Sequence, residues 1–187
     1  VFSSLFIIIL VSSFGLQAFE SIYSIMATIN FGFTTNDIAL VITISGSLAL
    51  ICQVFLFDWI VSKLGEMRLI QLTFFVSATF IAVIAFTTSH LVVVLSTFVV
   101  FLSFDLFRPA VTTYLSKNGG NQQGAINGLN STFTSFGNIL GPLAAGSLFD
   151  LNYFYPYYVS AMILLGTGFL SLFLTNMTSK KLLLKKS

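Results

Sequence analysis

Runs of about twenty apolar residues recur along this chain with only short polar breaks between them, and no other feature limits its fold so sharply. A helix needs about 20 mostly apolar residues to cross a bilayer core. A backbone in lipid must also satisfy its own hydrogen bonds, which leaves helices and closed barrels as the spanning structures. Six segments reach that length: Phe2 to Asn30, Asp37 to Val61, Leu69 to Thr88, Leu91 to Leu115, Gln123 to Leu148 and Tyr157 to Asn176. The expected fold is an all-α membrane protein with six transmembrane helices. Composition agrees, since 56% of residues are hydrophobic and only 7% charged, against about 25% charged in a soluble domain.

The breaks are short and polar. "GFTTN" precedes the second span, with Asn36 and Asp37 as its expected caps. "SKLGEMR" joins the second and third spans, "SKNGGNQQG" the fourth and fifth, and "DLNYFYP" the fifth and sixth, where Pro156 suits a helix's opening turn. With no long linker or low-complexity tract, residues 1–187 read as one domain. The first residue is Val1, which points to a trimmed start or to part of something longer.

Lysine and arginine placement predicts the orientation. Lys63, Arg68, Lys117, Lys180, Lys181, Lys185 and Lys186 all fall on one side of a six-span chain, and the remaining connections hold Asp37, His90 and Asp150. The basic side is expected to be cytoplasmic, with both termini inside. Function classes fall away on composition. A single cysteine, Cys52, forms no intrachain disulfide or thiolate cluster. A single histidine, His90, read as a loop residue, offers no histidine-based metal site. No phosphate loop or nucleic-acid-binding basic run is present, and no cofactor is expected.

Three charges remain inside spans: Glu20, Asp105 and Arg108. An ionised group at a helix centre costs about 2.5–3.5 kcal/mol on insertion scales, so such groups face protein or water. Asp105 and Arg108 are three residues apart on one helical face. They form either a structural ion pair or a site where a carboxylate titrates between desolvation and a nearby cation. Glu20 lies in "GLQAFESIYS" with no basic neighbour, and Gln17, Tyr23 and Ser24 extend a polar stripe around it. Phe101, one turn before Asp105, and Phe104 beside it supply an aromatic wall suited to an apolar cation.

The fifth span, "GLNSTFTSFGNILGPLAAGSLFD", carries a GxxxG pair, Gly137 and Gly141, which lets two backbones approach closely. Pro142 invites a bend. Asn130, Thr134, Gly137 and Gly141 share one face, bordered by Asn138. The pattern fits close packing alone, or a bendable helix whose polar flank lines a cavity. The sequon Asn130-Ser131-Thr132 falls within the membrane and is set aside.

"AFESIYS", "FLSFDLFRPAVTTYLS" and "GLNSTFTSFGNILGPLAAGSLFD" together resemble the second half of NorA-type multidrug exporters of Gram-positive bacteria, within the major facilitator superfamily. The resemblance runs from about Leu10 to Tyr158. It implies six helices of a twelve-helix transporter in the bacterial cytoplasmic membrane, exporting chemically varied, often cationic or zwitterionic drugs in exchange for protons. It links the carboxylates at Glu20 and Asp105 to protonation, with Arg108 beside them. It places Tyr23, Phe101, Phe104, Asn130 and Asn138 at or near the cavity. Thr134 joins them through the shared polar face. The glycine–proline spacing is similar to the superfamily's antiporter signature, with Ala145 in place of a glycine. The loop "FDWIVSKLGEMR" keeps Lys63, Gly65 and Arg68 but has Ser62 where an aspartate is usual. Since alternating access rocks one half against another, the chain is expected to be a fragment or to work with a partner half. A membrane scaffold and an uncoupled carrier of a small polar solute are the competing readings.

Overall fold

The structure is a computed structural model that describes the backbone of residues 2–184 and the side chains of residues 5–120 and 122–175. The expectations resting on Val1, Lys185 and Lys186 lie outside the described residues, and the side chains of Lys180 and Lys181 lie outside the described side chains. Among the described residues the chain is all helical: α1 (Phe2–Phe31), α2 (Thr35–Phe55), α3 (Phe57–Leu64), α4 (Glu66–Phe86), α5 (His90–Asn118), α6 (Gln123–Leu151) and α7 (Tyr155–Leu184), with one 3-10 turn at Gly120–Gln122. Five of them, α1, α2, α4, α5 and α7, are long and apolar enough to cross a membrane by length and composition. At 29 residues α6 matches them in length, but its glycines, asparagines, serines and threonines dilute its hydropathy.

The expected second span divides. α2 ends at Phe55, Leu56 forms the joint, and α3 continues for eight residues. Hydrogen bonds from Leu56 N–H to the Cys52 carbonyl (2.9 Å) and from Ile60 N–H to the Leu56 carbonyl (2.8 Å) carry the ladder across the joint. Along α3, Phe57, Ile60 and Val61 are half-buried while Asp58, Trp59, Ser62 and Lys63 are exposed. The loop expected after this span shrinks to Gly65, whose φ of 79° reverses the chain into α4. The cap of α2 also differs from expectation. Thr34, not Asn36, is the N-cap, and Asp37 at the third helical position completes a reciprocal capping box with it. Pro156 does sit in the opening turn of α7.

α1 packs most extensively on α6 and also on α7, α4 joins α5 and α7, and α2 leans on α5. Phe19 of α1 is fully buried, with Tyr23, Phe101, Phe104 and Tyr157 ringed around it at centroid distances of 5.4–6.2 Å. A polar tie joins α4 to α7, where Gln71 donates to Ser171 Oγ (3.3 Å) and Thr175 Oγ1 (3.0 Å). In lipid such ties and close steric fit hold helices together, because leaving lipid gives apolar side chains no hydrophobic gain.

The closest fit lies between α1 and α6. A Cβ on Gly137 would come within 2.7 Å of Ser13 Cβ and 2.8 Å of both the Leu10 carbonyl and the Phe14 nitrogen. One on Gly141 would come within 2.8 Å of the Phe14 carbonyl and 3.0 Å of the Ala18 nitrogen. With buried Ala145 a turn further on, these glycines form a seam of small residues against the α1 backbone. Close packing is thus what the GxxxG pair does. By contrast α2 buries only Val41, Ser45 and Ala49, leaving Leu40, Ile42, Leu50, Val54 and Phe55 exposed.

Candidate functional site

Two cavities adjoin along the inner faces of α1 and α5. The smaller, about 190 Å³, is lined from α1 by Glu20, Tyr23 and Ser24, from α2 by Ile42, Ser45 and Gly46, and from α5 by Phe101, Phe104, Asp105 and Arg108. The larger, about 330 Å³, is lined by Gln17 and Ser13 of α1, Arg108 and Thr112 of α5, and Asn130, Thr134 and Asn138 of α6, among others. The antiparallel course of α1 and α5 stacks the cavities along the bundle axis. Residues 9–17 of α1 meet 107–112 of α5 in the larger, and residues 20–24 meet 101–108 in the smaller.

Arg108 lines both cavities and so marks their junction. Gln17 ties them from the α1 side: it lines the larger, and its Nε2 donates to Glu20 Oε2 in the smaller at 3.1 Å. Both carboxylates therefore face a space open to solute instead of packed protein. The aromatic pair divides its work. Phe104 is buried in the ring cluster, while Phe101 is half-buried and stands edge-on to Tyr23 at 5.7 Å. Tyr23 itself is only 1% exposed, so it walls the cavity mainly with its ring.

The pairing of Asp105 with Arg108 is not formed. Among the described residues the ion pair within 4 Å is Lys117 with Glu66, which joins the C-terminal end of α5 to the start of α4. On a helix, side chains three apart can meet, but here the Arg108 side chain is exposed at the junction instead of folded onto Asp105. A purely structural ion pair is accordingly not what these two residues make.

Gln53 and His90 each meet a backbone carbonyl of a distant helix, contacts that sequence reasoning did not assign. Pro109 lies inside α5 and has no N–H, so the Asp105 carbonyl one turn earlier loses its helical donor. Gln53 of α2 supplies a replacement, its Nε2 donating to the Asp105 carbonyl at 2.7 Å. The signal was present: a proline four residues after a carboxylate frees that residue's backbone acceptor, and an amide in a neighbouring apolar span is a natural donor. His90 is the second. It opens α5 instead of sitting in a loop, and its Nε2 lies 2.7 Å from the Phe31 carbonyl at the end of α1. The ring of Phe33 stacks on it at 5.9 Å. A histidine between two apolar spans gives no sequence sign of which helix end it will cap.

Among the described residues, an all-helical bundle with apolar spans and an internal polar cavity lined by two carboxylates and an arginine defines a multi-pass membrane protein. The chain belongs to the Major Facilitator Superfamily, whose pattern it matches over residues 5–186. It is 48% identical over 164 residues to "Multidrug resistance protein 2" of Bacillus subtilis, covering 87% of this chain and 41% of that protein. It is 45% identical over 159 residues to "Multidrug resistance protein 1" of the same organism, covering 85% of this chain and 41% of that protein. To "Quinolone resistance protein NorA" of Staphylococcus aureus it is 39% identical over 160 residues, covering 86% of this chain and 41% of that protein. The likeness to NorA-type exporters drawn from the motifs agrees with these relatives. The chain spans about two fifths of their length.

Proposed function

We propose that this chain is the C-terminal six-helix half of a proton-coupled exporter of hydrophobic, often cationic drugs, working by alternating access against a partner half. One observation carries the reading: Glu20 and Asp105, from different helices, line one cavity walled by Phe101, Phe104 and Tyr23 in the middle of apolar spans. An anionic, aromatic pocket attracts a lipophilic cation. The same pocket can take protons once the cation leaves, because a carboxylate in low dielectric favours its neutral form. Cation and proton then compete for one negative charge, and that competition is the coupling. No covalent step or metal is required, in keeping with a family of carriers. The names of the relatives, which speak of multidrug and quinolone resistance, support the substrate class.

The partner half would cover the exposed apolar flank of α2 and the outer face of α6, whose Phe136, Ile139 and Leu143 are exposed. Orientation follows from Lys63, Arg68 and Lys117 clustering at the end of the bundle where α3, α4 and the close of α5 meet. That end is the cytoplasmic one, with both termini on the cytoplasmic side of the bacterial membrane. Chain 1–187 acts as a single unit, and the small-residue seam of Gly137 and Gly141, with Pro142 beyond it, lets α6 move with α1.

The test is efflux of a fluorescent lipophilic cation from vesicles containing the full-length transporter, with an imposed pH gradient. Asp105→Asn and Glu20→Gln should each abolish gradient-driven efflux while the protein stays folded. Gradient-driven efflux that survives both changes would refute the coupling. Loss of folding in both would point to the scaffold reading instead.

A further inference from the structure

Pro109 in α5 and the joint at Leu56 after α2 are the irregular points of two neighbouring helices, and one hydrogen bond lies between them. Pro109 brings no N–H to the Asp105 carbonyl. Gln53, three residues before the joint, donates to that carbonyl at 2.7 Å. Among the described residues this is the side-chain hydrogen bond that joins α2 to α5. A proline persists inside a membrane span where a neighbouring helix satisfies the backbone group it frees. Here the freed group belongs to the residue whose carboxylate lines the smaller cavity. The bond that Pro109 lacks would have closed the turn from Asp105 to Pro109, and Asp105 and Arg108 both project from that turn.

The rest of α2 is arranged around the same contact. Its buried residues Val41, Ser45 and Ala49 recur at every fourth position, and Gln53 is the next in the series. Residues four apart share a helical face, so one narrow stripe seats α2 on α5, while α2 meets α1 only sparsely. α2 also gives Ile42, Ser45 and Gly46 to the wall of the cavity that Glu20, Asp105 and Arg108 line. Wall and donor are therefore one helix, and α2 cannot withdraw from α5 without leaving the Asp105 carbonyl bare.

From this geometry we infer that Gln53 is a positioning residue: it closes the turn bearing Asp105 and Arg108 from outside α5, so that cation capture in the smaller cavity depends on α2 being seated on α5. Movement of α2 reaches the carboxylate through the backbone carbonyl that Gln53 holds. Gln53 itself needs no change of charge, since an amide keeps its N–H donors whatever the pH. The assignment rests on the export reading above and adds to it a residue that does not line the cavity.

The test is equilibrium binding of tetraphenylphosphonium to the purified full-length transporter at one fixed pH, for Gln53→Met, Pro109→Ala and the double variant. Methionine has about the length of glutamine and no N–H. Gln53→Met should weaken binding about five-fold or more, the loss that one unsatisfied carbonyl brings. Gln53→Asn, an amide one methylene too short to reach, should weaken it likewise. Once Pro109→Ala gives α5 its own donor, adding Gln53→Met should change affinity by less than about two-fold. A side chain that merely fills space between helices would weaken binding equally in both backgrounds, and that result would overturn the assignment. Gln53→Asn and the double variant keep the test open if Gln53→Met alone does not fold. Asp105→Asn in the same assay separates the two claims. If Asp105→Asn weakens binding and Gln53→Met leaves it unchanged, the positioning role falls and the export reading stands. Wild-type protein that binds no phosphonium, or an Asp105→Asn variant that binds it as tightly as wild type, would overturn both.

Discussion

Alanine at Gly137 is the sharpest probe of how α1 and α6 meet. The added methyl would stand 2.7 Å from Ser13 Cβ and 2.8 Å from two backbone atoms, the Leu10 carbonyl and the Phe14 nitrogen. Carbon atoms in unstrained contact sit about 3.5–4.0 Å apart, so α6 has to withdraw from α1 by roughly 0.8 Å at that point. Backbone atoms cannot rotate out of the way, and overpacking of this kind costs about 1–3 kcal/mol. The same helix supplies its own control. A methyl added at Gly128 or Gly146 would meet nothing within 4 Å, and alanine is favoured over glycine in a helix interior by about 1 kcal/mol. Gly146→Ala should therefore be neutral or stabilising, and Gly137→Ala should fall about 2 kcal/mol or more below it. Purified full-length protein heated in one detergent, with the monodisperse fraction followed by size exclusion, orders the variants. If Gly137→Ala melts together with Gly146→Ala, the helices do not touch as the seam requires.

Gln53→Leu should destabilise by about 1–3 kcal/mol, because the Asp105 carbonyl loses its donor. Adding Pro109→Ala restores the helical N–H, so in the double variant most of that cost should vanish, and unfolding measured around the cycle reads the coupling. His90→Ala removes the donor to the Phe31 carbonyl and should cost about 1 kcal/mol, visible as faster amide exchange at the end of α1. Lys117→Gln should cost less than about 1 kcal/mol, because the Lys117 side chain is 63% exposed. High salt should shrink the difference further in the same melting assay.

The sequence displayed the helices plainly because length and apolarity suffice to mark a span. It was weaker where the decision depended on a neighbour. The joint at Leu56 has no proline or glycine to announce it. Thr34 won the cap from Asn36 because only Thr34 pairs reciprocally with Asp37. At the site, helical spacing set Tyr23 beside Glu20 and Phe101 beside Asp105, but it was the family resemblance that implied that these residues, with Phe104, Arg108, Asn130 and Asn138, lie at or near a common cavity; the structure divides them between two adjoining ones. The polar face of α6 proved to be two faces in series, an open one up to Asn138 and a packed one from Gly137 to Ala145. Spacing could not say that Asp105 and Arg108 would stay apart, since an i, i+3 relation permits contact without requiring it. Gln53 left only half a trace: Pro109 marks the freed Asp105 carbonyl, but nothing local singles out a donor 52 residues away.

Proton release on drug binding tests the shared-charge mechanism most directly. Tetraphenylphosphonium added to weakly buffered full-length transporter, across a series of pH values, should expel protons over part of that range. Asp105→Asn should remove most of the release while binding remains measurable. Binding that exchanges no protons at any pH in the wild-type protein would contradict the claim that one pair of carboxylates serves both cation and proton.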